Sequence, residues 1–393
     1  MKYSCALPFK TLLLDQSGLC GPWCNNSGAF NLSAVEIKNR WHSSDFANLR
    51  RKHLANIPAA ECSRCYIEEK SGFKSQRVIA NTELYPDFDI NNFTAEKIEF
   101  PEKLIIRLSN ICNFACQTCH SMDTSKYITD GSYYSNTYGD SKSRYVKKIE
   151  TSELTENKML QCFEIAINLK SIEFFGGEPM LNKTHFVLLK KLIESKQADQ
   201  IDLFYSTNGS VYACEELINI WKHFKKIRIQ FSIDGIEDQF HYMRWPGKWT
   251  SIELNITKYK NLSIKLGKPV HLGVNLTVSI LNLMSIEKTT SWILNNFDTK
   301  HFITFAHDPS YYCIKNIPEH YKDQIQQHFE KSQHFELFKP TLEFMKSEIF
   351  DEKAWKQFQS WTVKKDQYRK LSYSKAFPEM AALLRNERFE ITC

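Results

Sequence analysis

A short apolar run that leads into three closely spaced cysteines constrains this chain more than any other part of its sequence. The run is Lys103–Leu108, which has the composition of a buried β-strand. Cys112, Cys116 and Cys119 follow it with the spacing C-x3-C-x2-C. Three thiolates on one short loop can surround a compact metal centre, because soft sulfur ligands select iron–sulfur clusters, zinc or Cu(I).

The number of cysteines in this loop separates two kinds of metal site. A closed structural zinc site takes four protein ligands, whereas a [4Fe–4S] cluster held by three cysteines leaves one iron open to another ligand. The loop is therefore typical of a cluster that binds a further molecule. A zinc knuckle and a chance arrangement are the alternatives, because short cysteine motifs also occur by chance.

The spacing C-x3-C-x2-C directly after a strand resembles the signature of the radical S-adenosylmethionine (SAM) superfamily. The resemblance implies that Cys112, Cys116 and Cys119 are catalytic ligands of a [4Fe–4S] cluster whose open iron binds SAM, with Phe114 in the cofactor site. It also implies that the reduced cluster cleaves SAM to methionine and a 5′-deoxyadenosyl radical. Thr118 departs from the family pattern, which usually has an aromatic or bulky apolar residue before the third cysteine.

A second motif follows a predicted strand at Ser171–Phe175. Gly176 and Gly177 permit backbone conformations that other residues avoid, and the proline after Glu178 begins the next helix. Alone, Gly-Gly-Glu-Pro carries little information. Downstream of C-x3-C-x2-C it resembles the superfamily motif that holds the methionine amino group of SAM. The resemblance implies that Glu178 accepts a hydrogen bond from that ammonium group.

Predicted strands and helices alternate along the middle of the chain. Near-continuous apolar runs, as in parallel strands covered on both faces, predict strands at Lys103–Leu108, Ser171–Phe175, Ile201–Tyr205, Ile227–Ile233, Pro269–Ser279 and His301–Ala306. Repeated βα units indicate an α/β fold whose parallel sheet closes into a full or partial barrel, with chemistry at the carboxyl ends of the strands. Six strands match the partial (β/α)6, TIM-like barrel that the resemblance implies.

Polar residues occur on or just after three of these strands. By the resemblance, Ser206, Asn208 and Asp234 correspond to positions that contact the ribose and carboxylate of SAM, and we assign Asn275 to the same cofactor site. Arg244 resembles the arginine that binds the SAM carboxylate, a task suited to a bidentate guanidinium. A helix cap or a surface pair is the alternative for each of them.

The first eighty residues contain a second group of cysteines. They are Cys5, Cys20, Cys24, Cys62 and Cys65. Two groups of thiols, the second with the spacing C-x2-C, suit a four-thiolate site, and the spacing does not distinguish zinc from [4Fe–4S].

Together with Gly18, Trp41, Arg50 and Arg77, these cysteines resemble the SPASM/twitch module of radical SAM maturases. In well-known members that module follows the barrel and carries an auxiliary [4Fe–4S] cluster. Here it precedes the barrel, as in a subgroup of twitch-domain proteins. The resemblance assigns the cluster to Cys5, Cys24, Cys62 and Cys65, with Cys20 as the substitute for Cys24.

Positive charge is concentrated in the same region. The chain has a formal charge of +6, and residues 1–80 hold 11 Lys and Arg against six Asp and Glu. A basic surface attracts nucleic acid or an acidic peptide, and it also offsets an anionic cluster. Because no nucleic-acid motif accompanies the charge, we expect no nucleic-acid partner.

Targeting signals are weak or missing from the sequence. No run of 18 apolar residues exists, so no membrane span is expected, and Pro8 and Lys10 interrupt the only candidate signal peptide. Twelve cysteines without a secretion signal are typical of reduced thiols and metal ligands. We therefore expect a cytoplasmic protein.

The sequence predicts four segments. Residues 1–80 form the twitch/SPASM-like module, 81–100 a linker, 101–317 the barrel and 318–393 a helical C-terminal segment that resembles the end of the same subgroup. Within the barrel, residues 123–150 are rich in Ser, Tyr, Lys and Asp, which predicts a long loop or lid over the cluster.

The expected function is that of a radical SAM oxidoreductase or maturase that functionalises a C–H bond of a peptide or protein. An auxiliary cluster assists, and flavodoxin or ferredoxin supplies electrons. A radical SAM dehydrogenase of a small molecule is the alternative within the class, since a fold does not determine its substrate. A non-catalytic zinc or nucleic-acid-binding protein is the alternative from another class.

Overall fold

The structure is a computed structural model that describes most of the chain. The described residues are 3–16, 20–21, 36–70, 72, 74–96, 98–138, 151, 153–298, 302–347, 350–387 and 389, with residues 20 and 302 described by their backbone alone.

One curled sheet organises the described residues. Its strands are β1 (Thr11–Leu14), β2 (Cys20–Gly21), β3 (Lys103–Arg107), β4 (Ser171–Phe175), β5 (Asp202–Thr207), β6 (Lys226–Ser232), β7 (Val270–Val278) and β8 (Phe302–Phe305). Their order is β2-β1-β3-β4-β5-β6-β7-β8, and every neighbouring pair is parallel except β1 and β2. Seven parallel strands therefore form a half-barrel, which confirms the predicted α/β barrel with small shifts in strand bounds.

The sheet contains one parallel strand more than the six predicted. The additional strand, β1 at Thr11–Leu14, pairs in parallel register with Lys103–Ile106 of β3. The pairing covers the edge of β3, whose backbone groups would otherwise lack partners. Part of residues 1–80 thus belongs to the barrel sheet, and the boundary at residue 80 stays a prediction.

Side chains alternate between the two faces of the sheet, as strand geometry requires. On β5, Leu203 and Tyr205 are buried among the helices. The alternate residues Asp202, Phe204 and Ser206 are half-buried and line the concave face. The apolar core therefore lies between the sheet and the surrounding helices, and the concave face keeps polar and charged side chains.

The helices of the described residues surround this sheet. They are α1 (Leu7–Lys10), α2 (Ile37–Trp41), α3 (Ser44–Leu54), α4 (Ser63–Lys70), α5 (Gln76–Ile79), α6 (Tyr127–Tyr138), α7 (Glu156–Glu164), α8 (Phe186–Glu194), α9 (Glu215–Trp221), α10 (Glu237–Met243), α11 (Trp249–Lys260), α12 (Leu262–Leu266), α13 (Ile286–Asn296), α14 (Glu319–Phe329), α15 (Phe335–Lys346), α16 (Glu352–Arg369), α17 (Tyr373–Ala376) and α18 (Pro378–Leu383). Helices α14–α18 agree with the predicted helical C-terminal segment. None of these helices combines the length and the hydropathy that a bilayer span requires.

The predicted loop at residues 123–150 is wrong over Tyr127–Tyr138, which form helix α6. Its Ser, Thr, Tyr and Gly residues are weak helix formers, but Tyr127 and Tyr134 are buried and Asp130 pairs with Arg369 of α16. Tertiary burial therefore outweighs helix propensity here. Residues 139–150 lie outside the described part of the chain.

Candidate active site and cofactor site

The cysteine loop leaves the carboxyl end of β3 and is held by the end of α10 and the segment that follows it. The backbone N–H of Ala115 donates to the carbonyl of Trp245 at 2.7 Å, and the N–H of Gln117 donates to the carbonyl of Met243 at 2.7 Å. The hydroxyl of Tyr127 donates to the carbonyl of Cys116 at 2.7 Å. The loop is thus fixed from two sides by backbone acceptors and a buried phenol.

The structure brings the three predicted cluster cysteines together. A hydrogen bond from Cys119 lowers the pKa of Cys116, and Arg244 also favours its thiolate. The same hydrogen bond and burial raise the pKa of Cys119, while burial raises the pKa of Cys112 to about 12. The thiolates of such a buried loop require an electropositive centre to stabilise them.

The arrangement does not correspond to a site for a single metal ion. Within the described ranges, no three His, Cys, Asp or Glu side chains converge as one ion would require. A [4Fe–4S] cluster distributes its thiolates over separate irons, so it needs no such convergence. Three neighbouring thiols on one buried loop match the ligand number of a [4Fe–4S] cluster with one open iron.

The Gly-Gly-Glu-Pro motif packs directly beneath the cysteine loop. Gly176 and Gly177 have φ angles of +87° and +55°. A Cβ on Gly177 would lie 2.2 Å from the carbonyl oxygen of Ile111, and the N–H of Glu178 donates to that oxygen at 2.9 Å. The positive φ and the close approach together confirm the expected need for glycine.

Glu178 is fully buried and already accepts three hydrogen bonds. Its Oε1 accepts from the Thr207 hydroxyl at 2.8 Å and from the Met180 N–H at 3.1 Å, and its Oε2 accepts from the Asn208 N–H at 2.7 Å. Burial raises its pKa to about 7, although these donors oppose the change. The carboxylate joins the ends of β4 and β5, and its bond to SAM stays a prediction.

Asn208 connects the end of β5 to the cysteine loop. Its side-chain amide lies 3.7 Å from the sulfur of Cys112 and donates to Oδ1 of Asn113 at 3.0 Å. Asn113 in turn donates to the hydroxyl of Ser210 at 2.8 Å. Asn113 and Thr207 were not predicted from the sequence, where isolated polar residues near strand ends gave no separate signal.

Arg244 and Asp234 form a buried ion pair beside the same loop. Their closest atoms, Nη2 and Oδ2, are 2.7 Å apart, and Nη1 of Arg244 lies 3.9 Å from the sulfur of Cys116. Oδ1 of Asp234 accepts from the N–H of Thr277 at 2.9 Å. Nε of Arg244 is buried without a hydrogen-bond acceptor, so the guanidinium has a donor to offer a carboxylate.

Phe114 also lies in this group, and the site tolerates little change around its ring. The ring is buried, and a Cβ on Gly247 would lie 2.6 Å from it.

Ser206 and Asn275 differ from the other predicted cofactor residues, because they line the concave face of the barrel. Among the described residues, neither Ser206 nor Asn275 forms a hydrogen bond with the cysteine loop.

The N-terminal cysteines are only partly described. Cys5, Cys62 and Cys65 are buried, and repulsion from the other two sulfurs adds to burial in raising the pKa of Cys5. The sulfur of Cys62 lies 3.6 Å from Nε2 of His53. Cys24 lies outside the described residues, and only the backbone of Cys20 is described, in β2.

None of the nine cysteines with described side chains forms a disulfide. The reduced thiols are those expected of metal-binding cysteines. The four-thiolate set of the N-terminal region stays a prediction.

Two basic side chains of α16 act on the cysteine loop, Lys365 by a hydrogen bond and Arg369 by its charge, and the sequence predicted neither as a site residue. Nζ of Lys365 donates to the carbonyl of Gln117 at 2.7 Å, and Arg369 pairs with Asp130 at 2.7 Å beneath it. Both side chains are buried. Trp361, Lys365 and Arg369 follow one another at intervals of four residues, which places all three on one helix face. This pattern could have marked the two basic residues as inward-facing charges.

The fold is that of a radical SAM domain. Residues 106–278, from β3 to the end of β7, match the Radical SAM superfamily model. The chain therefore contains a radical SAM superfamily domain, whose members are enzymes. Such a domain implies a [4Fe–4S] cluster and SAM as its cofactor and partner, and the grouped cysteines, Asn208 and Arg244 fit both.

The individual proteins to which the chain is similar share only a small part of its sequence. The chain is similar to a GTP 3′,8-cyclase of Desulforamulus reducens, with 25% identity over an alignment of 186 residues; the match covers 38% of this chain and 56% of the relative. The chain thus spans about half the length of this curated relative.

Solved structures also resemble the chain at low identity. One is anSMEcpe with bound AdoMet (18% identity, TM-score 0.40, covering 58% of this chain and 60% of that chain). Another is Streptococcus suis SuiB bound to precursor peptide SuiA (13% identity, TM-score 0.37, covering 89% and 70%).

Proposed function

We propose that this protein is a radical SAM oxidoreductase of the maturase type, which reductively cleaves SAM and functionalises a C–H bond of a peptide or protein. The observation that carries the proposal is the grouping of Cys112, Cys116 and Cys119 with Asn208 and the Asp234–Arg244 pair at the carboxyl ends of the strands. Active sites of barrels built from βα units lie at this end.

Each residue of the site has a distinct role in the proposal. The three cysteines hold the cluster, which when bound supplies the electron for SAM cleavage. Glu178 accepts from the ammonium group of SAM, and Arg244 donates to its carboxylate. Asn208 orients the ribose, and Phe114 excludes water from the loop.

The proposal includes an auxiliary [4Fe–4S] cluster at Cys5, Cys62, Cys65 and either Cys24 or Cys20. Its support is the burial of three thiols close enough to repel one another as thiolates. A reduced cytoplasmic setting and a flavodoxin or ferredoxin donor belong to the same proposal. Dehydrogenation of a small molecule is the second candidate, and the likeness to a GTP 3′,8-cyclase favours a small-molecule substrate.

Anaerobic incubation with reductant and SAM tests the proposed function. The wild-type protein should form 5′-deoxyadenosine and contain close to eight irons per chain. Replacing Cys112, Cys116 and Cys119 by alanine should abolish deoxyadenosine and leave about half the iron, because each cluster needs its own thiolates. Cys214→Ala, at an exposed cysteine, serves as the control and should change neither quantity.

The competing class of function predicts a different result. A non-catalytic zinc protein would be colourless, contain zinc and form no deoxyadenosine. Full iron content in the triple alanine variant would also contradict the proposed ligands.

A further inference from the structure

A large cavity opens on the concave face of the half-barrel, which we name the concave cavity. Its volume is about 900 Å³. It extends from the amino-terminal ends of β3–β6 to Ser206 and Asn275, which are among the predicted cofactor residues. The cavity thus leads from the surface into the interior of the barrel, beneath the proposed SAM site.

Half of the charged side chains that line the concave cavity form close ion pairs with one another. Lys103 pairs with Glu173 at 2.7 Å. Glu102 pairs with Lys10 and with Lys170. These closed pairs leave little charge to attract a ligand, because each charge is compensated by its neighbour.

Asp202 and Arg228 differ from those pairs. Their nearest charged atoms are 3.9 Å apart, and the side chain of Arg228 is 48% exposed. Oδ1 of Asp202 is buried and has no hydrogen-bond donor. A buried carboxylate oxygen without a donor is costly, so the arrangement favours a ligand that supplies an N–H group.

Aromatic rings border the same cavity. Phe88 and Phe93 lie with their centroids 5.1 Å apart, and Tyr85 and Phe204 also contribute to the wall. Rings of this kind pack against the methylene groups of a long side chain and attract the cation at its end. The cavity therefore combines an apolar wall with an acceptor for a cationic group.

The charge balance argues against a nucleoside triphosphate in this cavity. Among the described residues that line it, five are basic and five are acidic: Lys10, Lys103, Lys170, Lys225 and Arg228 against Asp87, Asp89, Glu102, Glu173 and Asp202. A triphosphate needs an excess of positive charge or a bound cation, and this lining supplies no excess.

We propose that the concave cavity binds a lysine or arginine side chain of the peptide substrate, with Oδ1 of Asp202 accepting a hydrogen bond from its ammonium or guanidinium group. This inference rests on the proposed function, since it names the substrate group that the same barrel receives. The aromatic wall packs against the methylene groups, and the neighbouring peptide extends toward Ser206 and Asn275.

Binding of small probes tests the inference on the purified holoprotein without SAM. The probes are N-acetyl-lysine amide and N-acetyl-arginine amide, compared with N-acetyl-norleucine amide and N-acetyl-glutamate amide by calorimetry or ligand-observed NMR. At least one cationic probe should bind about tenfold more tightly than the neutral and acidic probes, because a charge-assisted hydrogen bond is lost in those.

Substitutions at Asp202 test whether the cationic probe binds in the concave cavity. Asp202→Asn should reduce the affinity for the cationic probe about tenfold, while Asp202→Glu should retain the preference for a cation. Asp199→Asn is the matched control, since Asp199 is exposed, lies just before β5 and does not line the cavity. Thermal melting verifies that all three variants fold.

The outcomes separate this inference from the proposed function. Equal binding of all four amides, or an unchanged affinity in folded Asp202→Asn, would overturn the inference even if the wild type forms deoxyadenosine. Displacement of the cationic probe by GTP, with GTP binding weakened by Arg228→Gln, would assign the cavity to a nucleotide and also overturn it. Selective binding of the cationic probe without any deoxyadenosine would overturn the proposed function alone.

Discussion

The guanidinium of Arg244 lies between the carboxylate of Asp234, 2.7 Å away, and the sulfur of Cys116, 3.9 Å away. One cation therefore compensates both an acid at the end of β6 and a thiolate of the cysteine loop. Because Nε of Arg244 still lacks an acceptor, the side chain has capacity for a further anion.

Replacing Arg244 by lysine should weaken SAM binding by roughly 1.5–3 kcal/mol, the scale of a hydrogen bond to a charged group. Lysine keeps the charge and loses the planar fork that binds a carboxylate with two donors. Titration of the reconstituted protein with SAM measures the effect. Arg385→Lys, at an exposed position, should leave the affinity unchanged, and an unchanged affinity in Arg244→Lys would mean that the side chain serves only Asp234.

Gly177→Ala should remove the iron of the SAM cluster while the auxiliary iron remains. A Cβ there lies 2.2 Å from the carbonyl oxygen of Ile111, so the backbone of the cysteine loop must move. Gly267→Ala is the matched control, because Gly267 also has a positive φ, of +64°, but has no atom within 4 Å of an added Cβ. It should cost about 1 kcal/mol of stability and no iron. Iron analysis and electron paramagnetic resonance (EPR) compare the two, and equal iron would contradict the packing argument.

Glu178 should make the protein without SAM less stable as the pH rises. Burial raises its pKa from an ordinary value of 4.5 to about 7, so the folded state binds more protons than the unfolded state between these values. Its contribution is present below pH 4.5 and is lost by about pH 7, up to about 3 kcal/mol at 1.4 kcal/mol per pKa unit.

Urea denaturation across this pH range measures the prediction. Glu178→Gln, which cannot titrate, should show a smaller loss of unfolding free energy between pH 5 and pH 7.5. Identical pH profiles for the two proteins would show that Glu178 has an ordinary pKa.

Lys365→Met should lower the reduction potential of the SAM cluster without removing its iron. Nζ of Lys365 donates to the carbonyl of Gln117, between two of the cluster cysteines. Burial lowers the pKa of Lys365, whereas the sulfurs of Cys119 and Cys116 favour its protonated form, and a proton held there stabilises the reduced, more negative cluster. Redox titration monitored by EPR measures the potential. Lys322→Met, which removes another fully buried lysine from α14, is the matched control and should leave the potential in place. If the reduction potential of the SAM cluster in Lys365→Met equals that of the wild type, Lys365 has only a structural role.

Cys24→Ala should lose the auxiliary iron while Cys20→Ala keeps it. The glycine-to-cysteine interval that resembles the SPASM/twitch pattern runs from Gly18 to Cys24, and Cys20 follows Gly18 too closely. A spare thiol behaves as a small apolar side chain, so its loss costs little. Iron counting and EPR on both variants decide between them. The reverse result would assign Cys20, and damage in both would mean that the two sulfurs share the site.

The strands of the barrel were predictable because each is an apolar run bounded by polar or glycine residues. The pairing of β1 with β3 was not, since Thr11 and Lys103 are ninety residues apart and no local pattern encodes their register. Helix α6 was missed for a related reason, because its stability depends on the burial of Tyr127 and Tyr134 against distant parts of the chain.

The residues of the candidate site also fall into two groups, those that the sequence predicted and those that only the structure revealed. The cysteines and the glycine pair follow motifs of fixed spacing, and Arg244 was assigned by resemblance, so the sequence predicted all of these residues. Lys365 reaches the cysteine loop from a helix that begins more than two hundred residues later, and its role follows from the packing of α16 alone. Motifs identify the groups that perform chemistry, whereas the charges around them depend on tertiary contacts.

The N-terminal region contacts both edges of the curled sheet. β1 pairs with β3 at one edge, and Glu68 of α4 lies 3.3 Å from His307, which follows β8 at the other. The N-terminal region therefore connects the two ends of the half-barrel, and Cys62 and Cys65 belong to this connecting region. The region that touches both ends of the sheet therefore lies outside the matched radical SAM residues, so we expect a change around those two thiols to be felt at β1 and at the end of β8.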